Sequence, residues 1–389
     1  MSRKSILALT ALAALSTSCL VSGAVFAALP SDCVQSNYPV RVIPACTEIL
    51  RGNPINAVAW FKRGKAYLDQ RIDTRDLGLA ITDLTKAIEI DPKYADAYQV
   101  RGVAFRRNGD FPRAIADQSK AIEINPGFAV AYGARGYAYQ QRATAIARAD
   151  YDKAIELDPA IVLAYFDRAF LHALNGDTNR AVDDLKRAFE FGGTAFDDAF
   201  ETLGPNQRNQ VVALFTRAIE RGANDAVVFN GRGFVYASTD DQERAIADYS
   251  KAIEIDPMYV DAYVSRGKAY GSKSFDDPRA LADYNKAIEL DPRNAYAYLA
   301  RGMHYAEDQL PNRPDLAIAD YNKAIELDPT KHYAYLRRGM LHEIDGQHAL
   351  ARADFAKVLE LEWKFWLLIK TINPNYLDEI EAERQARPQ

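Results

Sequence analysis

Eight arginines and eight aspartates recur along the chain in fixed register. The arginines are Arg63, Arg101, Arg135, Arg168, Arg232, Arg266, Arg301 and Arg338. The aspartates are Asp83, Asp117, Asp150, Asp184, Asp248, Asp283, Asp320 and Asp354. A ladder of guanidinium groups could bind an extended anion. Equal numbers in matched register favour the other reading, an Arg–Asp pair inside each repeat. The Lys and Glu of each Lys-Ala-Ile-Glu phrase stand three apart and make weak surface pairs on a helix.

Other chemistry finds little footing. The five histidines form no H-x-x-x-H and pair with no cysteine at zinc spacing. His172 and His342 occupy aromatic core sites of their repeats. No G-x-S-x-G, phosphate-binding loop or dinucleotide turn is found, and no cofactor is implied. Carboxylates are numerous but periodic, whereas a catalytic pair would break the period. The expected protein is therefore not an enzyme. Lys and Arg total 48 against 53 Asp and Glu, a net charge of −5. That balance argues against nucleic acid as a partner, because no basic excess exists to neutralise phosphates.

Cys33 and Cys46 form an even pair once a leader is removed. Arg3 and Lys4 precede an uncharged apolar run, Ile6 to Phe26, and Val25-Phe26-Ala27 offers a cleavage site. Residues 1–27 thus read as a secretory signal, with no stable membrane insertion after cleavage. Two cysteines in an exported chain read as a disulfide.

The elements that carry these residues are copies of one unit. The phrase Ala245-Ile-Ala-Asp-Tyr-Ser-Lys-Ala-Ile-Glu-Ile-Asp-Pro257 returns almost unchanged at Ala317–Pro329, with variants ending at Pro92, Pro126, Pro159 and Pro292. Before each lies aromatic-x-x-Arg-Gly-x-x-aromatic, as in Tyr98…Arg101-Gly102…Phe105. The small residues Gly64, Gly102, Gly136, Ala169, Gly233, Gly267, Gly302 and Gly339 are spaced 38, 34, 33, 64, 34, 35 and 37 apart. Apolar residues fall at helical spacing in both halves of the unit. The glycine permits close approach of a partner helix carrying Ala114 or its equivalents, and Asp-Pro ends the second helix.

This pattern resembles the tetratricopeptide repeat (TPR), a helix–turn–helix unit of about 34 residues. The resemblance covers about residues 57–363 and implies an all-α, right-handed TPR superhelix, an α-solenoid of helix-turn-helix repeats. The expected divisions are a signal at 1–27, an N-terminal disulfide cap or half-repeat at 28–56 and repeats 1–4 at 57–193. A degenerate repeat or hinge follows at 194–226, repeats 5–8 at 227–362, and a C-terminal capping helix and tail at 363–389. In the degenerate part Ala195–Leu203 and Val211–Arg221 read as its two helices. The runs Asp69–Asp76 and Glu307–Asp315 read as tolerated surface insertions. Trp363–Ile369 reads as a cap over the last repeat.

By resemblance, first helices line a concave binding groove. The lining set is Phe61, Lys65, Gln99, Tyr137, Phe166, Phe170, Asn230, Phe234, Lys268, Leu299, Met303, Leu336 and Met340. The Lys/Asn pair with which chaperone-binding members clamp a terminal carboxylate is lacking, so the groove reads as apolar and aromatic. The resemblance implies a non-catalytic scaffold or adaptor holding a peptide or helix of a protein partner. Alternatives are a periplasmic chaperone-like envelope assembly factor or a regulatory subunit of an enzyme complex. The lead-in looks like that of exported TPR proteins of Gram-negative bacteria, which implies the periplasm.

Overall fold

Short α-helices make all the regular structure among the described residues, with no strand. The computed structural model describes residues 32–35, 39–69, 74–140, 143–191, 200, 202–274, 277–306, 313–361, 365–377 and 379–380. The expected signal, the longest parts of both insertions and most of Ala195–Leu203 lie outside these residues. The described residues fall into two compact units, one up to residue 210 and one from residue 211.

In the first unit a four-residue helix α1 (Asp32–Gln35) precedes α2 (Pro39–Gly52). Four helical pairs follow: α3 (Ala57–Asp69) with α4 (Thr74–Ile90), α5 (Ala95–Arg107) with α6 (Phe111–Ile124), α7 (Ala129–Tyr139) with α8 (Thr144–Leu157), and α9 (Val162–Leu174) with α10 (Thr178–Phe191). Helix α11 (Pro205–Glu220) spans the boundary between the units. The second unit pairs α12 (Ala226–Ser238) with α13 (Gln242–Ile255) and α14 (Val260–Lys273) with α15 (Pro278–Leu290). It then pairs α16 (Ala295–Tyr305) with α17 (Pro314–Leu327) and α18 (His332–Ile344) with α19 (His348–Leu361), and ends in α20 (Trp366–Ile372). No described helix is long and apolar enough to cross a membrane.

Local chemistry sets the helix ends. Asp110, Asp241 and Asp277 cap second helices by accepting from backbone N–H groups of the first turn. Between the two helices of a repeat, Gly109, Gly176 and Gly346 take positive φ, which a side chain would oppose. At the far end, Asp158, Asp256, Asp291 and Asp328 leave the helical region. The carboxylates of Asp91, Asp158, Asp256, Asp291 and Asp328 each accept from the N–H two residues on, across the proline. Asp-Pro therefore does two things: proline stops the helix and aspartate closes an Asx-turn into the next repeat.

Packing explains the small residues. A Cβ built on Gly267 would lie 2.7 Å from the Tyr284 ring, and one on Gly302 would lie 2.8 Å from Tyr321. The first helix thus rests on the face of the second helix's aromatic. Ala280 and Ala287 of α15 are fully buried where helices meet. Gly267→Ala should cost about 1–3 kcal/mol, because Tyr284 is held too tightly to yield. Urea denaturation followed by circular dichroism measures it, and a cost near zero would mean that the ring moves aside.

The Arg–Asp pairs are present in all eight repeats, each as a two-pronged bond. Arg101 Nε and Nη2 donate to the two oxygens of Asp117 at 2.8 Å each. The third prong reaches the preceding unit: Arg101 Nη1 donates to Thr85 Oγ1 at 3.1 Å, and Arg232 Nη1 to Thr216 Oγ1 at 3.1 Å. Elsewhere the acceptor is Thr47, Ser119, Asp152, Ser250, Asn285 or Asn322, always 16 residues before the arginine. The aromatic three residues before each arginine lies beneath the guanidinium, as Trp60 does under Arg63 at 4.7 Å. Each arginine thereby joins three helices and is occupied as structure.

The same geometry explains the start. Thr47 on α2 stands where later second helices carry their Thr, Ser, Asp or Asn acceptor, so α2 acts as a second helix without a full first one. Cys33 and Cys46 are disulfide-bonded and fully buried with Val42, Ala45 and Leu50. The closed loop is short, so reduction should remove about 2–3 kcal/mol from this end. A lower first melting transition in dithiothreitol checks this, and an unchanged melt contradicts it. At the other end Phe365, Leu368, Ile369 and Ile372 are buried. Tyr376 packs on Phe355 and its hydroxyl bonds to Glu343.

Candidate partner-binding surface

Successive first helices touch one another within each unit, while successive second helices make no contact of that extent among the described residues. First helices therefore line the tighter, inner side of each stack. Second helices carry the outer face. There Lys86–Glu89, Lys120–Glu123, Lys153–Glu156, Lys251–Glu254, Lys286–Glu289 and Lys323–Glu326 are paired at 2.6–2.7 Å and exposed. That face repeats and is charge-neutralised.

The inner residues expected from sequence divide into two groups. Lys65 and Lys268 are exposed, Tyr137 is 37% exposed, and Gln99, Phe234 and Met303 are half-buried. Phe61, Phe166, Phe170, Asn230, Leu299, Leu336 and Met340 are instead buried, Phe166 and Met340 completely. These seven side chains belong to the packed interior of the repeats. The position after the first aromatic faces the incoming turn of the next repeat rather than solvent. Phe61 meets Tyr94 with ring centroids 4.8 Å apart, and Asn230 donates to Tyr259 Oη at 3.3 Å. Burial against Asp91 and Asp96 holds the Tyr94 hydroxyl up at about 12, so this cover stays neutral. Phe166 lies within 6.4 Å of both Phe189 and Phe200, packed by its own repeat's second helix and by the irregular segment that follows.

Three cations on this face, the exposed Lys65 and Lys268 and the half-buried Arg106, are engaged. Lys65 pairs with Asp69 at 2.9 Å. Lys268 Nζ donates to Tyr296 Oη at 2.6 Å. Arg106 lies 4.7 Å from the Tyr137 ring centre.

One inner residue escaped the sequence reading. Asp167 on α9 sits two residues after the first aromatic, where other repeats have Lys62, Val100, Ala134, Gly231, Ser265, Ala300 and Arg337. It is partly exposed, and burial pushes its carboxyl up to about 7 against the pull of Arg106. Its departure from the period was the available signal. His172 is buried as expected and His304 is buried as well, and burial lowers both imidazoles, whereas His342, also expected in the core, is half-buried against Gln347. Among the described residues no three His, Cys, Asp or Glu side chains are grouped to hold a metal.

Comparison with known proteins matches the repeats to two family descriptions. One, "TPR repeat", matches residues 233–274 and 276–309. The other, "Tetratricopeptide repeat", matches residues 84–116, 150–183 and 320–353. A search of curated sequences gave no match. Among solved structures, MamA is 28% identical over 39% of this chain and 88% of its own, with a TM-score of 0.36. YrrB, described as a TPR protein with an unusual peptide-binding site, is 22% identical over 56% of this chain and 95% of its own, with a TM-score of 0.28. A tetratricopeptide repeat protein from Parabacteroides merdae is 20% identical over 71% of this chain and 95% of its own, with a TM-score of 0.37. TPR repeats build scaffolds for protein–protein interaction and are generally non-catalytic. With these segments falling in both units and the same two-pronged Arg–Asp bond in all eight repeats, the chain is a tetratricopeptide-repeat protein.

Proposed function

We propose that the chain is an adaptor that holds an extended or helical segment of a partner protein on the inner face of its first helices. One observation carries this reading. The Arg–Asp bond that holds the stack together is the same in every repeat, while inner positions that keep some exposure differ: Lys65, Gln99, Tyr137, Phe234, Lys268 and Met303. Structure needs the first to repeat and leaves the second set free to suit a ligand. Aromatic, methionine and long polar side chains together suit an adaptable protein contact.

The test is pull-down with crosslinking from cell extract, analysed by mass spectrometry. It compares the wild type with a Lys65→Ala, Tyr137→Ala, Lys268→Ala, Met303→Ala variant of unchanged circular dichroism. A defined partner lost from the variant supports the reading. Equal capture by both moves the binding surface elsewhere.

The adaptor works outside the cytoplasm in this reading, in the periplasm. The buried Cys33–Cys46 bond supports an oxidising compartment, and the apolar run before residue 28 supports export. Sequencing of the mature N-terminus should begin at Ala28, and an intact Met1 would contradict cleavage.

A further inference from the structure

The inner face of repeats 2–4 holds a polar site that the repeat does not need. Arg106 is the fourth residue after Gly102, Tyr137 the first after Gly136, and Asp167 the second before Ala169. Each step to the next first helix drops three residues, about one helical turn, so the three side chains run diagonally across α5, α7 and α9. Neighbouring members of this series of helices are in contact. Arg106 stacks on Tyr137 at 4.7 Å. Beneath them Tyr151 of α8 is fully buried, and its hydroxyl has no hydrogen-bond partner among the described residues. The Tyr151 ring lies against Gly136, the residue before Tyr137, and burial raises its phenol.

Asp167 makes no hydrogen bond or ion pair among the described residues, although it is only partly exposed. The contrast with Asp150 is sharp: its two oxygens take both prongs of Arg135 at 2.7 and 2.9 Å. A carboxylate withdrawn from water without a partner is unfavourable, and a cation restores what it has lost. The neighbouring Arg106 is held by the Tyr137 face and leaves the carboxylate unpaired. Tyr137 offers a ring edge and face to an alkylammonium stem.

We propose that Asp167, with Tyr137 beside it, receives a basic side chain of the bound partner segment. This inference rests on the inner-face reading above and narrows it to a peptide carrying a lysine or arginine between apolar residues. The apolar neighbours fit Val103, which is half-buried on the same face, and the exposed ring of Tyr137. Groups facing Asp167 are Arg106 from α5, Tyr137 from α7 and Tyr151 from α8; Asp150 of α8 is neutralised by Arg135.

The experiment is selection of a random nonapeptide phage library on the purified protein, followed by affinity measurement with synthetic copies of selected peptides. The inference expects a basic residue recurring at one register. Asp167→Asn should weaken those peptides about tenfold or more, as should norleucine in place of the basic residue, and the two losses should not add. Because a carboxyl near 7 is ionised at pH 8 and mostly protonated at pH 6, wild-type affinity should fall about tenfold between them. The Asp167→Asn protein should show no such fall. Peptides without a recurring basic residue, or insensitive to Asp167→Asn while still lost with Tyr137→Ala, overturn this inference and leave the inner-face reading standing. A selection that yields no peptide overturns both.

Discussion

Asp248→Ala should destabilise the second unit by about 3–5 kcal/mol, the cost of leaving the partner of a buried ion pair uncompensated. Asp248 is buried and accepts Arg232 Nε at 2.8 Å and Nη2 at 2.7 Å. Its carboxylate raises the Arg232 guanidinium through that bond. Alanine leaves the half-buried guanidinium with only Thr216 and the Phe229 and Tyr236 rings. An uncompensated charge is then held among α11, α12 and α13. Glu254→Ala should cost less than about 0.5 kcal/mol, because its pair with Lys251 is exposed at both ends. Urea denaturation of the two variants, followed by far-ultraviolet circular dichroism, measures the ratio. Similar small losses would mean that the Arg–Asp ladder is available to ligands after all. Arg232→Met with Asp248→Leu should recover much of the loss, since removing both charges removes the desolvation penalty as well.

Asp167→Asn should act in the opposite direction and stabilise the first unit, but only at neutral and alkaline pH. The folded-state carboxyl lies near 7 against an ordinary value of 3.8. The folded protein thus holds a proton that the unfolded chain releases, and stability declines as pH rises from about 4 to about 7. Three pKa units would be about 4 kcal/mol if fully felt, and access of water to the site reduces this to about 1–2 kcal/mol. The variant should therefore match the wild type at pH 4 and exceed it at pH 8. His172 and His304, lowered by burial, give stability that falls as pH drops below the ordinary imidazole value. They are common to both proteins and cancel in the difference. A thermal melt series from pH 4 to 8 checks the crossing, and a constant offset would show that Asp167 is already neutralised by its surroundings. A residue that costs stability where the stack does not require it fits a binding role.

The parts of the fold that repeat were legible because periodicity multiplies a weak signal. Arg101 and Asp117 alone suggest nothing, but the same pair in eight registers can only be structural. The acceptors 16 residues before each arginine were not read, because Thr85, Ser119, Asp152 and Asn285 share a hydrogen-bonding oxygen rather than a residue type. The second duty of Asp-Pro, the Asx-turn, needed the backbone geometry.

The inner face was less legible. A residue's place on a helix does not tell what the next turn lays over it. Tyr94 covers Phe61, and Phe200 of the irregular segment joins Phe189 in packing Phe166, so side chains at lining positions become core. Tyr137 stays open because no such cover reaches it, and Arg106 takes only one side of its ring. Asp167 was visible in sequence as the one acid at its repeat position, yet it lay one residue away from the lining positions considered.

The central claim is that partners dock on the inner face of the first helices. Site-specific photocrosslinking tests it most directly, with p-benzoylphenylalanine placed at Tyr137 or Met303 on the inner face and at Glu123 or Glu254 on the outer face. The account predicts adducts of one defined partner from Tyr137 or Met303 and none from Glu123 or Glu254. Adducts confined to the outer positions, or equal at all four, would contradict it.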